Sequence, residues 1–178
     1  MKKSFVIVIL LLLLMLAGCI KPSLDKLTIE LNPSVDTIEI NSTYQDPGVK
    51  AFYGFVEIKA NVSSNTLDIT QLGTYEIVYV ATYKSIEKTI KRIITVVDET
   101  PPVITLNPGV DTILLGGSWE DAFVSVTDNS QDDMDISIIG EVNTQIAGIY
   151  IIVYVATDAS GNESRISRYI EVIDPNLI

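Results

Sequence analysis

The sequence predicts an all-β protein, two tandem antiparallel β-sandwiches behind a secretion signal, and three observations carry that reading. Beyond position 26 the apolar residues alternate with a period of two, in short runs dominated by β-branched residues and tyrosine. Clusters of Gly, Pro, Asn and Asp interrupt those runs about every eight to twelve residues, and no window holds a 3.6-residue apolar period over three turns. The chain also aligns with itself at an offset of 75.

The N-terminus is read first. Met1-Lys2-Lys3 is a basic start, Phe5 to Leu16 is an unbroken apolar run of twelve, and Leu16-Ala17-Gly18-Cys19 follows at once. Twelve residues fall short of the roughly 20 that a helix needs to cross a bilayer, so residues 1–18 read as a signal peptide. Leu-Ala-Gly-Cys resembles the lipobox of bacterial lipoproteins, which implies acylation of Cys19 and a mature chain that starts there. Acyl chains contribute about 0.8 kcal/mol per buried methylene, so the expected location is extracytoplasmic, with the protein held on a bacterial membrane. Residues 19–26 form a short stalk.

The duplication sets the domains. Leu31 to Ile38 aligns with Leu106 to Ile113 at seven identities in eight, Val78 to Thr82 with Val153 to Thr157 at five in five, and Gly73 with Gly148. A one-residue deletion near Tyr83 moves the later offset to 76. The expected boundaries are a first domain at 27–98, a proline linker at 99–102 and a second domain at 103–174. Consecutive prolines at 101 and 102 favour extended backbone over a loose tether.

Within the second copy the clearest strand pair is Ile149 to Asp158 with Ser164 to Ile173. Ala159-Ser160-Gly161-Asn162 joins them, and glycine and asparagine accept the positive φ of a tight turn. In both copies a glycine precedes a tyrosine by two and an isoleucine by four: Gly73, Tyr75, Ile77 and Gly148, Tyr150, Ile152. Immunoglobulin folds place a corner tyrosine two residues before the second disulfide cysteine. Isoleucine at the cysteine position predicts Ig-like domains held by packing alone. The alternative for each tyrosine is a plain core or cross-strand aromatic.

Further residues point to a family. Thr100-Pro101-Pro102-Val103-Ile104-Thr105-Leu106, Val126-Thr127-Asp128-Asn129 with Asp132 to Ile136, and Val153 to Asn162 resemble the bacterial immunoglobulin-like domains first described in a pesticidal crystal protein. Such domains occur in tandem on bacterial surface proteins, so the resemblance implies a surface role. The first copy departs from it, with Ala51-Phe52-Tyr53-Gly54 and Tyr83-Lys84-Ser85 at the two loops. Any activity of those loops is expected only in the second copy.

Composition narrows the chemistry. The chain has no histidine and one cysteine, which excludes histidine catalysis, histidine metal sites and an internal disulfide. Without residues 1–18 it holds 10 bases against 23 acids, a balance that repels phosphate backbones and argues against nucleic acid. Residues 27–98 carry nine acids and six bases, whereas 103–174 carry twelve acids and two arginines. The densest stretch, Asp128 to Asp135, offers Asp128, Asp132, Asp133 and Asp135 as oxygen ligands for a hard cation such as calcium, the one cofactor the pattern admits. It lacks the glycine and terminal glutamate of an EF-hand, and its alternative is a solvated acidic turn. Asp158 joins such a site only if the fold brings it near.

Two features speak to partners. Trp119, aligned with Tyr44, is the single tryptophan and stands beside Glu120 and Asp121, so it either contacts a sugar or protein or covers the open end of its own sandwich. The run from Tyr150 to Ala156 is apolar on both faces, which leaves an adhesive surface unless neighbouring strands cover it. The expected function is a non-catalytic binding or adhesion module with a protein or polysaccharide partner. A structural spacer and a carbohydrate-binding accessory are the alternatives.

Overall fold

The computed structural model describes residues 21–130 and 133–176. Residues 1–18, read above as a signal peptide, Cys19, the expected acylation site, and the loop acid Asp132 lie outside the described residues. Among the described residues there is no α-helix, and a single 3-10 turn at Leu24–Lys26 precedes the strands.

The first copy contains β1 (Leu27–Leu31), β2 (Thr37–Glu39), β3 (Val49–Tyr53), β4 (Val56–Ile58), β5 (Ala60–Asn65), β6 (Gly73–Tyr83) and β7 (Ile86–Val97). They form two sheets, in the orders β1-β3-β4 and β2-β7-β6-β5. The second copy contains β8 (Val103–Leu106), β9 (Thr112–Leu114), β10 (Val124–Thr127), β11 (Asp135–Ile139), β12 (Gly148–Thr157) and β13 (Glu163–Ile173). Its sheets are β10-β8 and β11-β12-β13-β9. By internal contacts the chain divides into two compact units. One runs to Asp36 and adds Gln45–Leu67 and Tyr75–Ile94, and the other comprises Thr37–Tyr44, Asp68–Thr74 and Thr95–Ile178.

These are Ig-like sandwiches, with one departure from the antiparallel arrangement expected. Each four-stranded sheet carries a parallel edge, β2 against β7 through Thr37 and Thr95, and β9 against β13 through Thr112 and Glu171. The change of sheet falls at Asn32-Pro33 and Asn107-Pro108. Proline has no amide to donate, so the first strand of each copy ends there and the chain resumes, in the same direction, on the opposite sheet.

Alternation selects the core. On β12 Ile152, Tyr154 and Ala156 are buried and Tyr150 is half-buried, while Ile149 and Ile151 are exposed. Ile152 and Tyr154 join Val124 and Ile170 in a cluster flanked by Ile104, Leu106, Trp119 and Tyr150. The first copy repeats the pattern with Ile77, Tyr79 and Ala81 on β6. Each large apolar side chain so buried contributes about 1.5–3 kcal/mol. The hydroxyl of Tyr150 donates to the Ile146 carbonyl at 2.9 Å, four residues upstream, as a corner tyrosine does. Tyr75, its counterpart, is half-buried at the same place in β6.

The domains are not held by apolar packing alone. Arg92 and Arg168, on inward positions of β7 and β13, are 1% and 2% exposed. Arg92 Nη1 donates to Asp36 Oδ1 at 2.9 Å, and its Nη2 donates to the carbonyls of Asn32 at 2.7 Å and Gly48 at 3.2 Å. Arg168 repeats the set, with Nη1 on Asp111 at 2.7 Å and Nη2 on the carbonyls of Asn107 and Phe123. Asn32 and Asn107 in turn donate to the carbonyls of Pro47 and Ala122. The Leu-Asn-Pro-x-Val-Asp repeat therefore builds the receptor for a buried guanidinium, whose planar fork suits carbonyls freed where the first strand breaks.

Candidate cation site and binding face

Three acids converge at the ends of strands. Asp98 follows β7, Asp128 follows β10 and Asp158 follows β12, and all three belong to the same compact unit. One carboxylate oxygen of each lies within 4.8 Å of those of the other two. Asp98 and Asp158 are buried and Asp128 is half-buried.

Local hydrogen bonds fix each carboxylate. Asp128 Oδ1 accepts from the amide of Ser130 at 2.9 Å and from its hydroxyl at 2.7 Å. Asp158 caps the turn into β13, its Oδ1 accepting from the Asn162 amide and its Oδ2 from Asn162 Nδ2, both at 2.8 Å. Gly161 supplies that turn with φ +91°, where a side chain is strained. Asp98 Oδ1 accepts from the Thr100 amide at 3.3 Å, and its backbone carbonyl accepts from Asn162 Nδ2 at 3.1 Å. Asp98 Oδ2, Asp128 Oδ2 and Asn129 Oδ1 are buried without any hydrogen-bond partner. Burial, reinforced by the charges of Asp158 and Asp128, pushes the Asp98 carboxyl above its ordinary range despite the Thr100 and Ser160 donors.

Glu39 stands beside this group in the same compact unit. It accepts from Thr100 Oγ1 at 2.6 Å, Asn129 Nδ2 at 2.9 Å and the Glu99 amide at 3.1 Å. Burial pushes its carboxyl up, but the Thr100, Asn129 and Glu99 donors outweigh that and hold it below the usual glutamate range.

The acids singled out in the sequence separate here. Asp128 is in the group and Asp158 joins it, whereas Asp133 and Asp135 are exposed, Asp135 opening β11, and neither belongs to the group. Asp98 was not legible as a member, since 30 residues part it from Asp128 and 60 from Asp158. At the aligned positions of the first copy Tyr53 and Tyr83 replace Asp128 and Asp158. Their rings stack at 3.8 Å and 11° between planes. The donors around Asp98 are all oxygens, with no imidazole or thiolate, a set suited to calcium or magnesium rather than zinc.

Trp119 is half-buried against the core cluster of the second copy, and its Nε1 donates to the Val110 carbonyl at 3.0 Å. It lines an open depression of about 440 Å³ with Val110, Ser118, Glu120 and Asp121. The outer face of β11-β12-β13 carries an apolar strip, Ile151 pairing with Tyr169 and Ile139 with Val153 in register, beside Glu171 opposite Ile149 and Arg165 opposite Val155. Ile149, Ile151 and Tyr169 are 70%, 48% and 61% exposed. On β6 of the first copy the position of Ile151 holds Glu76, which pairs with Lys91 at 2.8 Å.

Residues 104–172 match the family described as "Bacterial surface protein, Ig-like domain", a stretch that covers the second copy from β8 into β13. The second copy is thus similar to Ig-like domains of the bacterial surface type. Several solved structures resemble the chain, two of them as follows. A lipoprotein from Bacteroides thetaiotaomicron shares 16% identity over 82% of this chain and 100% of its own, with a TM-score of 0.36. The EC3-6 segment of protocadherin gammaB7, solved as a cis-dimer, shares 18% identity over 86% of this chain and 41% of its own, with a TM-score of 0.38. No curated protein matches the chain.

Proposed function

We propose that the chain is a non-catalytic binding module of the bacterial cell surface, anchored to a membrane through acylated Cys19, and that its second domain makes the contact. The observation that carries this reading is the exposed apolar strip of Ile149, Ile151 and Tyr169 on the outer face of β12 and β13, where the first copy holds Glu76, paired with Lys91, at the position of Ile151. Charged residues are depleted at the centres of protein interfaces and aromatic residues are enriched there, and the strip offers two exposed isoleucines, Ile149 and Ile151, with one aromatic ring, Tyr169. The surrounding domain is strongly acidic, so the fitting partner is a protein with an apolar patch ringed by lysine and arginine. Domain limits of 27–98 and 103–174 about a linker at 99–102 belong to this reading, as does the likeness of both copies to the Ig-like domains of pesticidal crystal proteins.

The test is a photo-crosslinkable residue placed at Ile151 or, as a control, at Glu76, with the full lipoprotein expressed in intact cells. A partner captured from Ile151, absent from Glu76 and lost on Tyr169→Glu supports the binding module. Equal background from both positions favours a spacer without a ligand. Metabolic labelling with an alkyne fatty acid, lost on Cys19→Ala, tests the anchor separately.

A further inference from the structure

We propose that Asp98, Asp128 and Asp158 form a binding site for one hard divalent cation of the calcium class. Three carboxylates gather within 4.8 Å at positions 30 residues apart along the chain, and two of the three residues are buried. Like charges held this close in a medium of low dielectric repel, and surface solvation does not relieve them. A second observation points to what does. Asp98 is 8% exposed, and its Oδ2, among the three carboxylates, has no donor, in the same state as Asp128 Oδ2 and Asn129 Oδ1 next to it in sequence. Buried polar atoms are almost always satisfied, and a carboxylate oxygen left without a hydrogen bond has a cation as its natural partner.

The ligand chemistry follows. Three carboxylates supply between three and six oxygens, and the Asn129 side-chain oxygen is one further donor of the same kind. Calcium takes six to eight oxygens in flexible geometry, while magnesium demands near-ideal octahedral placement and keeps several waters. Ser130 and Thr100 each hold one oxygen of Asp128 and Asp98 and leave the other available, whereas both oxygens of Asp158 accept from Asn162 and offer the ion their remaining lone pairs. The stacked Tyr53 and Tyr83 occupy the corresponding place in the first copy, so the stoichiometry is one ion per chain. The site is independent of the proposed protein contact, since it lies at the strand ends and not on the outer face of β12.

The experiment uses the full chain in detergent, stripped with a chelator and titrated calorimetrically with calcium chloride alone and with magnesium chloride alone. The expected result is one calcium per chain with a dissociation constant at or below about 1 mM, magnesium weaker, and a higher melting temperature with calcium. Asp98→Asn should weaken calcium at least tenfold while the metal-free protein melts no lower than the parent, because an amide removes a repelling charge. A merely structural aspartate would lower that metal-free melting temperature. The double variant Asp133→Asn/Asp135→Asn should bind calcium unchanged. Absence of binding at about 10 mM calcium, unaltered affinity in Asp98→Asn, or loss of affinity only in the loop variant overturns the proposal. So does stabilisation by mild acid with no response to calcium, which would mean a shared proton. Should Asp98→Asn not fold, hydrogen exchange of the parent decides: calcium should slow residues 98–100 and 158–162, and unchanged exchange overturns the site.

Discussion

Arg168 meets Asp111 at 2.7 Å while its own side chain is only 2% exposed, and Arg92 meets Asp36 in the same way at 2.9 Å in the first copy. The two arginines lie one duplication apart and hold the break between the first two strands of each copy to the last strand. Arg168→Ala should therefore cost about 3–5 kcal/mol in urea unfolding, because it strands the carbonyls of Asn107 and Phe123 as well as the acid. Asp111→Asn should cost only about 1 kcal/mol, since Asp111 is half exposed and an amide oxygen still accepts.

Alkaline titration should resolve Tyr79 and Tyr154. Burial, with hydrogen bonds donated to Asp46 and Asp121, raises both to about 12 from an ordinary value of 10. A raised folded value means that the neutral form is the one the fold favours. Their contribution is complete below pH 10 and is lost as pH rises through about 12. Ultraviolet absorbance of the phenolate should show two of the eight tyrosines ionising late, together with unfolding. The double variant Tyr79→Phe/Tyr154→Phe should lack that late step.

Trp119→Ala should lower stability by about 2 kcal/mol, less than the cost of a fully buried tryptophan, through lost contact with the core cluster and the Val110 bond. The expected glycan-array signal is the same before and after the substitution. A sugar signal abolished by Trp119→Ala without loss of melting temperature would instead favour the carbohydrate-binding alternative.

Gly109 offers a test of how far the copies have diverged, because Ser34 stands at its place in the first. A Cβ at 109 would come within 2.7 Å of Ala122 Cβ and 2.8 Å of Arg168 Nη1. Gly109→Ser is expected to destabilise by about 1–3 kcal/mol, whereas Ser34→Gly should cost at most about 1 kcal/mol. Thermal melts of the two variants check the asymmetry.

Local periodicity was legible in the sequence, and long-range closure was not. The strand pair read at Ile149 to Asp158 and Ser164 to Ile173 is found at Gly148–Thr157 and Glu163–Ile173, since alternation and the Ser160-Gly161-Asn162 turn both act over a few residues. The parallel edges were hidden because Pro33 and Pro108 tell where a strand stops and not which sheet receives its continuation. A signal for the buried arginine was present in β13, where Arg168 occupies an inward position between Ile166 and Ile170. A lone charge in an apolar stripe reads more readily as an exposed exception than as the centre of a polar cage. For the acidic site, sequence proximity singled out the run through Asp135. The ladder that opens at Asp135 commits that residue to β11, and the fold gathers Asp98 and Asp158 from distant strand ends instead.

Ile77 and Ile152, 1% and 2% exposed, fill the core where an immunoglobulin domain of the antibody type has half of its inter-sheet disulfide. A fold closed by apolar packing and a buried guanidinium needs no oxidant to complete it. Folding of these domains should proceed equally in reducing and oxidising surroundings, without a thiol oxidase, and dithiothreitol should leave their unfolding curve unmoved. Bacteria that live without oxygen could carry such domains on their surface at no cost in stability.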